Sequence, residues 1–145
     1  MCLHAVEILL VEDSFADVIL MKNTFNKMKT FTNLHVVKDG IEAINFLHQE
    51  EGYEQKPRPD LILLDLNLPR KNGLEVLKEI KLDIRYKRIP VIILSTSENN
   101  EDILECYNCH ANSYLTKPID LQGFYDCMEA IDHFWVKLAR YPLNY

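Results

Sequence analysis

The chain has no apolar run of the roughly 20 residues needed to cross a bilayer, so no membrane-spanning segment is expected. It also lacks an excess of positive charge: 22 acidic residues outnumber 16 basic ones, for a formal net charge of −6. That balance argues against non-specific binding to a phosphate backbone, and no DNA partner is expected. No leader is expected either. Met1-Cys2-Leu3-His4 lead straight into a strand pattern, without basic, apolar and cleavage segments in series, so a cytoplasmic location is expected. Cysteine is sparse. A chain of 145 residues buries about two thirds of its unfolded surface without a disulfide staple, so Cys2, Cys106, Cys109 and Cys127 are expected to be reduced, buried or idle. With no internal repeat or low-complexity stretch, one domain over 1–145 is expected, ending in a short tail, 139–145.

Against these absences, short apolar runs that stop on polar groups stand out. Leu61-Ile62-Leu63-Leu64 lies between Pro59-Asp60 and Pro69 and ends on Asp65, the pattern of a strand buried on both faces. Val6 to Val11 is a similar run and ends on Glu12-Asp13. Ser14, with Asp17 three residues on, resembles a capping box and starts a helix that runs to about Met28. Thr32 to Val37 reads as a strand. Asp39-Gly40 turns the chain, and Ala43, Ile44, Phe46 and Leu47 give the apolar face of a second helix ending near His48. A polar loop from Gln49 to Pro59 delivers the Leu61 strand. Lys71-Asn72-Gly73 turns into a third helix on Leu74, Val76, Leu77 and Ile80. Val91 to Leu94 is another buried strand and ends on Ser95-Thr96-Ser97. A weakly patterned fourth helix spans Glu101 to about Cys109. Ser113 to Thr116 is a short strand ending at Lys117-Pro118, and a last helix, about Leu121 to Leu138, buries Phe124, Met128, Ile131 and Trp135 at helical spacing.

Strand followed by helix, five times, predicts an α/β fold: a doubly wound five-stranded parallel sheet in three α/β/α layers. The flavodoxin-like order 2-1-3-4-5 puts the switch point between strands one and three. Those are the strands that end on Glu12-Asp13 and on Asp65. Three carboxylates gathered there repel one another unless a cation sits between them, and a hard divalent ion such as Mg2+ (or Mn2+) relieves the repulsion through oxygen ligands. Ser95 and Lys117 leave the fourth and fifth strands on the same rim. Carboxylate, metal, hydroxyl and fixed positive charge suit phosphoryl transfer, where positioning and charge neutralisation supply most of the catalysis. Singly, each residue has a plainer reading: turn acid, strand-end hydroxyl, solvated lysine. Their joint placement on four strand ends is what those readings leave unexplained.

On these residues the chain resembles a receiver domain of a two-component response regulator, of the CheY-like type, from Glu7 to Trp135. The resemblance implies that Asp65 is the phosphoacceptor. It also implies that Glu12 and Asp13, with the backbone carbonyl of Asn67 and Asp65 itself, hold Mg2+. Ser95 would bond the phosphoryl group, Lys117 pair with it, and Tyr114 report the state by its rotamer. Lys117-Pro118 matches a family Lys-Pro whose peptide bond is commonly cis. Asp65-Leu-Asn-Leu-Pro, Ser95-Thr-Ser, the segment from His110 to Pro118 and Phe134-Trp135 most resemble small stand-alone regulators serving phytochrome-type sensor histidine kinases. Three positions depart from the family pattern: Glu12 for Asp, Ser95 for Thr, and Asn112 where Gly is usual.

Two other chemistries compete. Cys106-Tyr-Asn-Cys109-His110 has the spacing of a haem attachment site, or half of a zinc site, but no export signal or second Cys pair accompanies it. Phosphatases of the haloacid-dehalogenase type also use an Asp nucleophile with Mg2+, a Ser/Thr and a Lys. They place a second Asp two residues on as the acid–base group, where this chain has Asn67. A phosphoaccepting switch, not a turnover enzyme, is therefore expected. The apolar tail (Leu138, Tyr141, Leu143, Tyr145) suggests a homodimer through the fourth helix, fifth strand, last helix and tail, or else a tail folded back on its own domain.

Overall fold

Each of the five short apolar segments forms a strand, and each is followed by a helix. In this computed structural model, which describes residues 4–143, the strands are β1 (Val6–Val11), β2 (Thr32–Val37), β3 (Leu61–Leu64), β4 (Val91–Ser95) and β5 (Ser113–Thr116). The helices are α1 (Phe15–Met28), α2 (Gly40–His48), α3 (Gly73–Leu82), α4 (Asn100–Asn108) and α5 (Leu121–Ile131). All strand pairs are parallel, and the order is β2-β1-β3-β4-β5, as expected. Cys2 and Tyr145 lie outside the described residues.

Alternation along the strands divides the core in two. Ile8, Leu10, Leu61, Leu63, Ile92 and Leu94 pack with Val18, Met21 and Phe25 of α1 and Phe124, Met128 and Ile131 of α5. Leu9, Val11, Ile62, Leu64, Val91 and Ile93 face the other way, onto α2, α3 and Cys106 of α4. At about 1.5–3 kcal/mol for each fully buried aliphatic side chain, these two layers hold the sheet rigid between them.

Register then sets the rim. Val11 pairs with Leu64, Leu64 with Ile93 and Ile93 with Tyr114, so β1 and β3 end level while β4 and β5 each run two residues further. Glu12 and Asp65, the residues after β1 and β3, therefore emerge side by side, and Ser95, last in β4, lies opposite Thr116 with its carbonyl accepting from the Lys117 N–H at 2.7 Å.

Several local expectations change. The last helix is not α-helical throughout. From Asp132 to Leu138 it widens into a π-helix, and this five-residue spacing sets Lys137 Nζ 3.3 Å from the buried carboxylate of Asp132. Trp135, within this stretch, is half-buried. The reciprocal capping box belongs to Asn72 and Glu75 at α3, whereas Ser14 caps α1 without a return bond from Asp17. The residue needing a left-handed backbone is His110 (φ 70°), not Asn112. The Asn112 side chain instead accepts from the Val91 N–H at 2.9 Å and from Lys81 Nζ at 3.1 Å, completing the edge of β4. No cis peptide bond occurs among the described residues, so Lys117-Pro118 is trans, the isomer an X–Pro bond favours unless packing selects the other. Tyr141 folds back: it packs on the α1/α5 layer and its hydroxyl donates to the Trp135 carbonyl at 2.6 Å.

Candidate functional site

Glu12 and Asp65 are carried into the rim by the two central strands, and both are buried, at 1% and 6% exposure. Asp13, one residue further out, is exposed. One ligand oxygen from each of Glu12, Asp13 and Asp65 lies within 4.8 Å of the others. The Ser14 N–H donates to Glu12 Oε2 at 3.1 Å, and the Asn67 N–H donates to Asp65 Oδ1 at 3.3 Å, so backbone at the start of each loop orients both acids. Gly73 lets α3 approach this closely. A Cβ there would run into the carbonyl oxygen of Asp65 and Cα of Leu66.

Opposite the acids stands Lys117, its side chain only 8% exposed. Nζ lies 2.6 Å from Glu12 Oε1, 2.9 Å from Asp17 Oδ2 and 3.6 Å from Asp65 Oδ2. Burial alone would lower the ammonium pKa. Contact with Glu12 and Asp17 and the charge of Asp65 outweigh it and hold Lys117 above the usual range. Glu12 moves up to about 7. Burial is the largest cause and the Asp65 charge adds to it, against the opposing pull of Lys117. Its Oε1 touches Lys117 without hydrogen-bonding angles and is otherwise unsatisfied. A buried carboxylate oxygen that meets only an ammonium, next to two further carboxylates, fits a hard cation coordinated by oxygen.

Ser95, wholly buried, is tied to the switch candidate through one residue. Its Oγ accepts from the Ser97 N–H at 3.1 Å, and the Ser97 carbonyl accepts from Tyr114 Oη at 2.8 Å. The Ser97 hydroxyl in turn donates to Asp102 of α4 at 2.7 Å. Thus all seven residues singled out in the sequence lie at or beside one rim. Two participants are additional. Asp17, taken there as a capping residue, turns its carboxylate to a lysine 100 residues away. Ser97 joins Ser95, Tyr114 and α4. The only sequence signal for either was a polar residue one turn beyond a strand end.

The cysteines do not form a second site. Cys106 is a buried free thiol whose pKa burial pushes up to about 11, and Cys109 packs beside it. Among the described residues the Glu12, Asp13 and Asp65 group is the one cluster of three potential ligands within metal-binding reach.

Comparison with known proteins places the geometry in a class. The response regulator receiver domain model matches residues 8–129, and the chain belongs to this family, the signalling receivers of two-component systems. In particular, it is 45% identical to response regulator Rcp1 of Synechocystis sp. over 135 residues, 93% of this chain and 92% of that protein. The crystal structure of the Mn2+-bound form of Rcp1 matches 94% of this chain and 99% of its own, at TM-score 0.90 and 44% identity. That of the phosphorylated cyanobacterial phytochrome response regulator RcpA matches 97% and 99%, at TM-score 0.91 and 45% identity. No helix among the described residues is long and apolar enough to cross a membrane.

Proposed function

We propose that Asp65 accepts a phosphoryl group from a phosphohistidine on a sensor histidine kinase, one of phytochrome type, in a Mg2+-dependent reaction. An Asp65 oxygen attacks phosphorus and the P–N bond breaks. Its electron pair returns to the imidazole nitrogen, which is protonated as it leaves, and Asp65 becomes an acyl phosphate. The observation that carries this reading is the buried Asp65 carboxylate facing a nearly buried lysine, with Glu12 and Asp13 at coordination distance of one another.

Glu12, Asp13, Asp65 and the Asn67 carbonyl would hold Mg2+. Bound there, the ion would neutralise the acids and the incoming phosphoryl charge. Lys117 serves as the acids' counter-ion in the structure as it stands. With Glu12 engaged by a cation, its ammonium is free to meet a phosphoryl oxygen. Ser95 donates its hydroxyl to another. That movement draws on the Ser97 N–H, and through the Ser97 carbonyl it loosens Tyr114, which turns inward and alters the α4–β5 face. The acyl phosphate carries a charge of about −1.5 to −2 where the carboxylate carried −1, and drawing Lys117 and Ser95 onto it offsets the extra charge in a site already acidic.

In this reading the protein is a single receiver acting in the cytoplasm, without DNA binding. Its chemistry is limited to its own phosphorylation and dephosphorylation, because Asn67 offers no acid–base group two residues past Asp65. A homodimer through α4, β5, α5 and the tail is supported by the exposed Leu104, Leu121, Leu138 and Leu143, while Tyr141 is committed to its own domain. Incubation with acetyl phosphate and Mg2+, followed by intact mass, tests the central claim. One phosphoryl group per chain is expected. No addition, or addition that persists in Asp65→Ala, refutes it.

A further inference from the structure

Asp17 lies outside the group of acids that stand close enough together to share a cation, yet it takes the best-formed contact of the lysine that faces them. Lys117 Nζ donates to Asp17 Oδ2 at 2.9 Å, meets Glu12 Oε1 at 2.6 Å without hydrogen-bonding angles, and stands 3.6 Å from Asp65 Oδ2. A first-turn acid gains from the positive end of its helix wherever its carboxylate points, and the Asp17 N–H already donates to Ser14 Oγ at 3.3 Å. Capping therefore gives no reason for this carboxylate to reach a lysine 100 residues on. Resting on the reading of the rim as a cation site, we propose that Asp17 is a positioning residue that retains the Lys117 ammonium when a divalent cation takes Glu12 and Asp65.

Cation and ammonium compete for the same oxygens. Lys117 touches Glu12 and stands close to Asp65, two of the three candidate ligands, so a divalent ion that engages those carboxylates must displace it. The lysine side chain is only 8% exposed, and an ammonium driven off its partners there would be left buried and unpaired, a costly state. Asp17, on α1, is the acid in contact with Lys117 that is not a candidate ligand. Its bond lets the ammonium give up Glu12 and still keep a carboxylate partner. The same bond holds Nζ at the rim beside Asp65, where a phosphoryl oxygen would arrive. Without Asp17 the ammonium has only Glu12 and Asp65 to pair with, and it holds them against the cation.

Binding of Mn2+ to the full chain is measured from the paramagnetic resonance of the free ion, in wild type, Asp17→Asn, Lys117→Gln and the double variant. Asp17→Asn should weaken binding about threefold to fivefold, the size of a partly exposed ion pair. In the Lys117→Gln background the same change should leave the affinity unaltered, whereas a carboxylate acting only through its own charge would weaken binding equally in both. The Asp17 side chain is 30% exposed, so Asp17→Asn should keep the wild-type circular dichroism spectrum. A second measurement does not depend on the folding of Lys117→Gln. In protein grown on isotope-labelled lysine, the nuclear magnetic resonance signal of the Lys117 ammonium is slow to exchange with water while the ion pair holds. It should persist in the wild type at saturating Mg2+ and be lost in Asp17→Asn. Equal Mn2+ affinity in wild type and Asp17→Asn, an equal loss in both backgrounds, or a Lys117 signal that survives Asp17→Asn with Mg2+ overturns the proposal. Absence of Mn2+ binding by the wild type refutes the cation site itself, and the role of Asp17 falls with it.

Discussion

Glu12 should make the cation-free protein less stable as pH rises towards neutrality, against the usual behaviour of a carboxylate paired with lysine. An unfolded Glu titrates near 4.5, and burial in the rim lifts the folded value to about 7. The folded state therefore holds a proton that the unfolded state has released across that interval, and linkage makes stability fall as pH rises through it. Below about 4.5 both states are protonated and the penalty is absent; above about 7 it is complete. At about 1.4 kcal/mol per pH unit, the full loss is about 3 kcal/mol, or roughly 6–12 °C in Tm for a chain of this size. A divalent cation bound by the charged form reverses the sign, so Mg2+ should stabilise little at pH 5 and most above pH 7. Urea unfolding at half-unit steps from pH 5 to 8, with EDTA and with Mg2+, measures both slopes. Glu12→Gln isolates the group, since its profile carries every other titration but this one. If the wild-type and Glu12→Gln curves run parallel in EDTA between pH 5 and 7, the reasoning fails.

Three further substitutions probe the supports of the rim. Tyr114→Phe removes the bond to the Ser97 carbonyl and should cost about 0.5–1.5 kcal/mol in urea unfolding, while acetyl phosphate still modifies Asp65. Gly73→Ala puts a methyl group against the Asp65 backbone. It should destabilise by about 1–3 kcal/mol and slow modification by acetyl phosphate, both measured on one preparation. Asn112→Ala strips the acceptor from the Val91 N–H and the Lys81 ammonium and should cost about 1–3 kcal/mol. Asn112→Gly should be at least as damaging. A neutral or stabilising Gly would contradict the role given to this side chain.

Element type and order were legible in the sequence because three of the strands, β1, β3 and β4, are buried on both faces or nearly so, and such strands read as unbroken aliphatic runs between turn residues. Leu61–Leu64 and Val91–Leu94 needed nothing more. The same runs located the acids and hydroxyls, since a polar residue directly after a buried strand has only the rim to occupy. What could not be read depends on side-chain direction over long separations. Asp17 has the spacing of a capping partner, yet its carboxylate leaves the helix end for Lys117, and no local pattern records a lysine 100 residues on. The π-helical stretch escaped notice because Phe124, Met128, Ile131 and Trp135 satisfy an α-helical period, and a shift to i→i+5 bonding over Asp132–Leu138 leaves no mark in that spacing. Asn112 illustrates a different limit. A family habit for Gly suggests a backbone requirement, whereas here that requirement falls on His110 and Asn112 contributes a hydrogen bond.

The reach of Lys117 also bears on when the rim comes into being during synthesis. Glu12, Asp13, Asp17 and Asp65 are all translated within the first half of the chain, and their counter-ion arrives only after β5. A nascent receiver with four strands assembled has the acids of the rim but not the lysine that lies among them in the complete fold. Docking of the last strand and helix closes the hydrophobic layer over α1 and delivers the ammonium in the same step. Completion of the fold and delivery of the counter-ion to the rim are thereby one event.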